Sequence, residues 1–146
     1  MFVKEIMTKN VCTIAPGTSL REAARLMATE DCGILPVAKD DRLIGMVSDR
    51  DIALRAVAES KDADRCTVAE IMTDDVKYLF DDETIEDLAR NLSSLQLRRL
   101  PVVNRGKRLV GIVSLADLAT KSDGVAATAA LRSVSAPTPT EAPIAG

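Results

Sequence analysis

Apolar residues recur along this chain with two periods, and each pattern occurs twice. Leu20, Ala23, Ala24 and Met27 stand at i, i+3, i+4 and i+7 behind Ser19-Leu20-Arg21-Glu22, a Ser-x-x-Glu capping box. That predicts an amphipathic helix with one stripe turned to a core. Thr84-Ile85-Glu86-Asp87 opens the same pattern, carried on by Leu88, Ala89 and Leu92. After each helix come two β-rich runs about a polar turn. Ile34-Leu35-Pro36-Val37 and Leu43 to Val47 flank Lys39-Asp40-Asp41-Arg42, and Leu100 to Val103 is followed by Leu109 to Val113. These predict two β-hairpins, with Pro36 at a strand start or edge because it has no amide hydrogen to give a ladder. The runs Val11-Cys12-Thr13-Ile14 and Val76-Lys77-Tyr78-Leu79 predict one more strand ahead of each helix. Further helices open at Ser48, running through Asp51, Ile52, Ala56 and Val57, and at Ser114.

The recurrence extends to the residues themselves. Val3-Lys4-Glu5-Ile6-Met7-Thr8 returns as Val68-Ala69-Glu70-Ile71-Met72-Thr73, and Leu35-Pro36-Val37 as Leu100-Pro101-Val102, at an offset of 65. After a one-residue insertion in a turn the offset is 66, which aligns Gly45-Met46-Val47-Ser48 and Asp51 with Gly111-Ile112-Val113-Ser114 and Asp117. Two copies with so long a period predict two pseudo-symmetric halves packed together, not an open solenoid. Residues 1–60 form the first unit, 61–66 a polar linker and 67–121 the second. Residues 122–146 form an Ala/Ser/Thr/Pro-rich tail, expected to be mostly disordered, with a short Ala-rich helix over Gly124–Val134 as the alternative. A chain of 146 residues buries roughly 68–70% of its unfolded surface, enough for one shared core but not for two independent ones.

Composition then narrows the chemistry. With 19 basic against 22 acidic residues there is no electrostatic footprint for nucleic acid or an anionic membrane, and one Tyr and two Phe provide no base-stacking platform. Cys12, Cys32 and Cys66 are odd in number and form no CxxC pair, which predicts reduced thiols and a cytoplasmic location. The start of the chain lacks a basic region followed by an apolar run, and no stretch approaches a membrane span. Histidine is absent altogether, removing the commonest general base and every Ser-His or Cys-His dyad. No GxxxxGK[ST] phosphate loop and no cluster of metal ligands appears, so the expectation is a protein that is not an enzyme.

What remains is the pair of motifs Gly45-Met46-Val47-Ser48-Asp49-Arg50-Asp51 and Gly111-Ile112-Val113-Ser114-Leu115-Ala116-Asp117. Each is an apolar strand followed by Ser-x-x-Asp at a helix start. One reading is a capping box, the Asp favoured by the positive end of the helix dipole. The other is a ligand site, in which free amides and a hydroxyl suit phosphate while the carboxylate accepts two hydrogen bonds from a ribose diol. Arg50, and Arg98-Arg99 ahead of the second hairpin, are the cations whose forked guanidinium groups suit phosphate oxygens.

Taken with the duplication, Ile-Met-Thr, Leu-Pro-Val and Gly-x-Val-Ser-x-x-Asp resemble the cystathionine-β-synthase (CBS) domain family over about Val3 to Thr120. The likeness is to small stand-alone bacterial tandem pairs. It implies an α+β fold of two β-α-β-β-α units packed by their sheets about a pseudo-two-fold axis. It also implies two clefts that take adenine nucleotides, AMP, ADP, ATP or NAD, or S-adenosylmethionine, with Mg²⁺ arriving only alongside a polyphosphate. By the family pattern, the first cleft uses Asp51 for the ribose, Ser48 and Arg50 toward phosphate, and Met72, Val76, Lys77 and Leu97 around adenine. The second uses Asp117 and Ser114, Arg98 and Arg99 toward phosphate, and Met7, Val11, Cys12 and Cys32 around adenine. Copy two carries Leu115-Ala116 where copy one has Asp49-Arg50, and copy one carries Gly33-Ile34 where copy two has Arg98-Arg99, so the clefts should be unequal. The expected role is an energy- or redox-sensing regulatory homodimer that stacks through its helices and signals to a protein target by shape or affinity. The alternative is an interaction-only homodimer with no physiological nucleotide.

Overall fold

The two capping boxes open the helices that the periodicity predicts. In the computed structural model, which describes residues 1–137, α2 spans Leu20–Glu30 and α5 spans Ile85–Leu95. Ser19 Oγ accepts the Glu22 amide and Thr84 Oγ1 accepts the Asp87 amide, each satisfying a donor that the first turn leaves without a partner. The helices bury Leu20, Ala23 and Met27, and Ile85, Leu88 and Leu92.

Both hairpins form. Antiparallel β1 (Ile34–Lys39) and β2 (Arg42–Ser48) are joined by Asp40 and Asp41 at φ 53° and 62°, the left-handed pair that matches strand twist in a two-residue turn. β4 (Arg99–Val103) and β5 (Leu109–Ser114) are joined by the longer loop, where the Asn104 amide donates to Arg108 O at 2.9 Å and Asn104 Oδ1 accepts the Arg108 amide at 3.0 Å. The strands expected ahead of the helices are much reduced. In the second half only Leu79–Phe80 (β3) pairs, parallel to β4. In the first half the run Val11–Ile14 yields a single bridge from Ile14 to Val37, because a turn from Ala15 to Thr18 follows at once. The result is a mixed α/β pair: a two-stranded sheet β1-β2 and a three-stranded sheet β3-β4-β5, each with its helices.

A short helix opens each repeat, α1 (Val3–Ile6) and α4 (Val68–Ile71), and the two are exchanged between halves. Val3 and Ile6 are buried among Leu79, Leu88, Leu92 and Leu118 of the second half, whereas Val68 and Ile71 are buried with Leu20, Leu35, Val37 and Val47 of the first. The following Met-Thr steps then pair with the other half's last strand. Thr8 and Ile112 exchange two backbone hydrogen bonds at 2.8 and 3.0 Å, as do Thr73 and Met46 at 2.9 Å. This accounts for the repeated Gly-x-Val-Ser. A Cβ on Gly45 would lie 2.5 Å from Met72 Sδ and 3.0 Å from Thr73 O, and one on Gly111 would lie 2.6 Å from Met7 Sδ and 2.9 Å from Thr8 O. The glycines let the halves approach at backbone distance.

The last helices differ between the halves. From Ser48, α3 (Asp49–Asp51) widens into a π-helical stretch over Ile52–Val57, with the Ala58 amide donating to Ala53 O at 2.9 Å. From Ser114, α6 (Leu115–Lys121) is regular. In the tail, Val125–Ser135 is a helix, α7, over nearly the span given as the Ala-rich alternative to disorder, and it buries the small side chains of Ala127 and Ala130 against α5 and α6. The disorder expected over residues 138–146 lies outside the described residues.

Candidate functional site

Strand β2 delivers Ser48 to the start of α3 and there the capping box closes. Ser48 Oγ accepts the Asp51 amide at 3.0 Å, and Asp51 Oδ2 accepts the Ser48 amide at 2.9 Å. The second motif is the same: Ser114 Oγ accepts the Asp117 amide at 3.0 Å and Asp117 Oδ2 accepts the Ser114 amide at 2.9 Å. Four residues on, a cation bridges each aspartate to the exchanged helix. Arg55 Nε lies 3.7 Å from Asp51 Oδ1 and its Nη1 donates to Ile71 O at 3.0 Å. Lys121 Nζ lies 3.2 Å from Asp117 Oδ1 and donates to Ile6 O at 3.2 Å. The capping reading is therefore satisfied at both motifs. In each, one carboxylate oxygen serves the cap, and the other is held more loosely at Asp51 than at Asp117.

The surroundings of the two aspartates differ. Asp51 and Ser48 line a cavity of about 440 Å³ whose opposite wall comes from the second half: Val76, Lys77, Leu97 and Arg99. Of the residues expected at the first cleft, Ser48, Asp51, Val76, Lys77 and Leu97 thus meet in one space, which Ile34, Met46 and Pro101 help to floor. Arg50 does not join them. It is exposed and outside the lining, whereas Arg99, assigned by sequence to the other cleft, is part of it. Met72 is also outside the lining, its sulfur packed against Gly45. Asp75 and Lys77, 3.4 Å apart, stand on the same wall. Sequence reasoning missed Thr73, Asp75, Leu95 and Arg99 here. The exchange of short helices would have pointed to Thr73, and its signal is the glycine inside each last strand.

The second set is divided. Ser114, Arg98 and Arg99 line a cavity of about 570 Å³ against α6 and α7. Met7 and Val11 line a separate one of about 490 Å³ with Lys9, Asn10, Ala38 and Leu109. Asp117, Cys12 and Cys32 line neither. Where the first cleft presents Asp75, Lys77 and Leu97, the duplication puts Asn10, Cys12 and Cys32, so a charged pair is lost. Burial raises the Cys12 thiol above its ordinary range, with Glu30 and Cys32 adding to the effect, and Cys66 is raised in the same way by burial in the first core. These thiols are poor nucleophiles at neutral pH. Among the described residues no group of three or more His, Cys, Asp or Glu could hold a metal ion, and no helix is long and apolar enough to cross a membrane.

Comparison with known proteins matches residues 3–57 and 68–124 to the family described as CBS domain, one match per repeat. The CBS domain-containing protein YhcV of Bacillus subtilis is 40% identical over 117 residues, covering 80% of this chain and 82% of that protein. The crystal structure of Hypoxic Response Protein I with two coordinated zinc ions superposes with a TM-score of 0.75 at 34% identity, covering 83% of this chain and 98% of that one. The CBS domain pair of protein MJ0100, solved in complex with 5-methylthioadenosine and S-adenosyl-L-methionine, gives a TM-score of 0.72 at 32% identity over 82% of this chain and 97% of that one.

Proposed function

The chain belongs to the CBS domain family, and from that premise we propose that it is a regulatory module whose Asp51 cleft takes an adenosine-containing ligand: AMP, ADP, ATP, NAD or an adenosyl sulfonium or thioether. The observation that carries the reading is the meeting, in one cavity of about 440 Å³, of Ser48 and Asp51 from one half with Val76, Lys77, Leu97 and Arg99 from the other. Asp51 keeps one oxygen outside its cap, 3.7 Å from Arg55, and accepts the ribose hydroxyls there. Val76 and Leu97 provide apolar faces for the purine, with backbone groups at Lys77 for its edge. Arg99 and Lys77 meet the phosphates, balanced by Asp51 and Asp75, so neutral or sulfonium tails are tolerated as well as anionic ones. No bond is made or broken. Ligand that spans both halves stabilises one arrangement of them, and a homodimer passes that preference to a protein target. Of the two aspartates, the reading assigns the stronger site to Asp51, since the Asp117 carboxylate is closed by Lys121.

A second reading, an interaction-only module, draws on one observation: both capping boxes are complete without a ligand. Thermal unfolding separates the two. The cap reading has Asp51→Ala cost about 0.5–2 kcal/mol whether or not nucleotide is present. The ligand reading adds stabilisation of about 2.7 kcal/mol at a hundredfold excess over Kd, present in wild type and absent from Asp51→Ala.

A further inference from the structure

The cations that tie each motif aspartate to the root of the opposite wall differ in kind between the halves. In the first half the tie is divided between two atoms: Arg55 Nε lies 3.7 Å from Asp51 Oδ1, while Nη1 donates to Ile71 O at 3.0 Å. In the second a single atom serves both partners, Lys121 Nζ lying 3.2 Å from Asp117 Oδ1 and 3.2 Å from Ile6 O. A guanidinium carries its donors on a rigid fork, so two acceptors can stand apart, whereas one ammonium nitrogen must draw both to itself. Ile71 ends α4, and the chain runs on from it into Thr73, Val76 and Lys77, the far wall of the Asp51 cavity. Ile6 ends α1 in the same way, ahead of Met7 and Val11. The space between the walls follows the ties. Asp51 shares one cavity of about 440 Å³ with the wall rooted at Ile71, but Asp117 does not line the cavity of Met7 and Val11.

We propose that Arg55 is a positioning residue, which from outside the cavity sets the spacing of its two walls and with it whether the cleft admits a ligand. Arg55 is absent from the lining, so it acts through Asp51 and Ile71 and not by touching what is bound. Its side chain is 52% exposed, so the ion pair contributes little to stability and its consequence is geometric. The backbone beneath the two ties is also wound differently: Arg55 leaves the π-helical stretch Ile52–Val57, and Lys121 ends a regular helix. The inference rests on the adenosine reading only for the identity of the occupant.

Arg55→Met removes the tie, and Arg55→Lys keeps the charge but leaves one nitrogen for two acceptors. The first readout is amide exchange in ligand-free protein at Met72 and Thr73, which donate to Val68 O and Met46 O at 2.9 Å, with Thr8 of the other half as the internal reference. Arg55→Met should speed exchange at Met72 and Thr73 at least tenfold with Thr8 unchanged, and Arg55→Lys should leave all three as slow as in wild type. The second readout is calorimetric titration with AMP, ATP, NAD and S-adenosylmethionine. Each ligand that wild type binds should bind both variants at least tenfold more weakly. A supporting or purely electrostatic role would be rescued by lysine in both readouts, whereas a spacing role is rescued in exchange and not in affinity. Exchange unchanged in Arg55→Met, or wild-type affinity in Arg55→Lys, overturns the inference. If no nucleotide binds wild type, the adenosine reading falls and the exchange of Arg55→Met alone decides for or against the tie.

Discussion

At the scale of single residues, the most exacting positions are two glycines. Neither Gly45 nor Gly111 has a positive φ, so backbone freedom is not what they provide. They provide absence of a side chain, since a Cβ would meet methionine sulfur and a threonine carbonyl from the other half within 3.0 Å. Gly45→Ala or Gly111→Ala should each destabilise by about 1–3 kcal/mol, the usual range for overpacking, seen as a lower urea midpoint at unchanged slope. Unchanged midpoints would mean that the halves separate readily. In the sequence the glycines were visible as members of a repeated motif, but their role was not, because the atoms that forbid a side chain lie far along the chain. The same holds at the cleft. Ser48 and Asp51 were legible from local cap chemistry, whereas it is Arg99, assigned to the other cleft, and not Arg50 that lines this cavity, since spacing along β2 and α3 does not reveal which way an exposed arginine leaves the helix.

Among elements, periodicity located α2, α5 and both hairpins, because each is fixed by contacts within a few residues. It overestimated the strands at Val11–Ile14 and Val76–Leu79, whose pairing depends on a partner and is cut short by neighbouring turns. It could not show that α1 and α4 change places. Deleting residues 1–7 should therefore unfold the second half first. Val3 and Ile6 are fully buried there, and losing two such side chains costs about 3–6 kcal/mol. Hydrogen exchange should report loss of protection in α5 and β4 before α2 and β1, and the reverse order would contradict the exchange. The caps also set the acid limit. Hydrogen bonds from Thr84, then its ion pair with Arg90, hold Asp87 below the usual carboxylate range, and Thr67 does the same for Glu70. With folded pKa values depressed, their stabilisation is complete above the unfolded pKa of about 4 and is lost as pH falls through the folded values. The urea midpoint should fall below that pH, and Asp87→Asn should flatten the fall.

For the whole molecule, duplication repeats the Ser-x-x-Asp motif, and divergence gives the two copies unequal surroundings. The Asp51 cleft draws on both halves, so a ligand there bridges the pair. The residues matched to the Asp117 cleft fall into two separate cavities, with Asp117 itself outside both. The exchanged helices mean that neither half's core is complete without the other, so the proposed ligand in the Asp51 cleft would act on the pair as a whole. Calorimetric titration of AMP, ATP, NAD and S-adenosylmethionine into wild type, Asp51→Ala and Asp117→Ala tests this most directly. The account predicts saturable heat with at least one of them, abolished or weakened at least tenfold by Asp51→Ala and little changed by Asp117→Ala. No heat with any of the four, or loss on Asp117→Ala with Asp51→Ala unaffected, would contradict it.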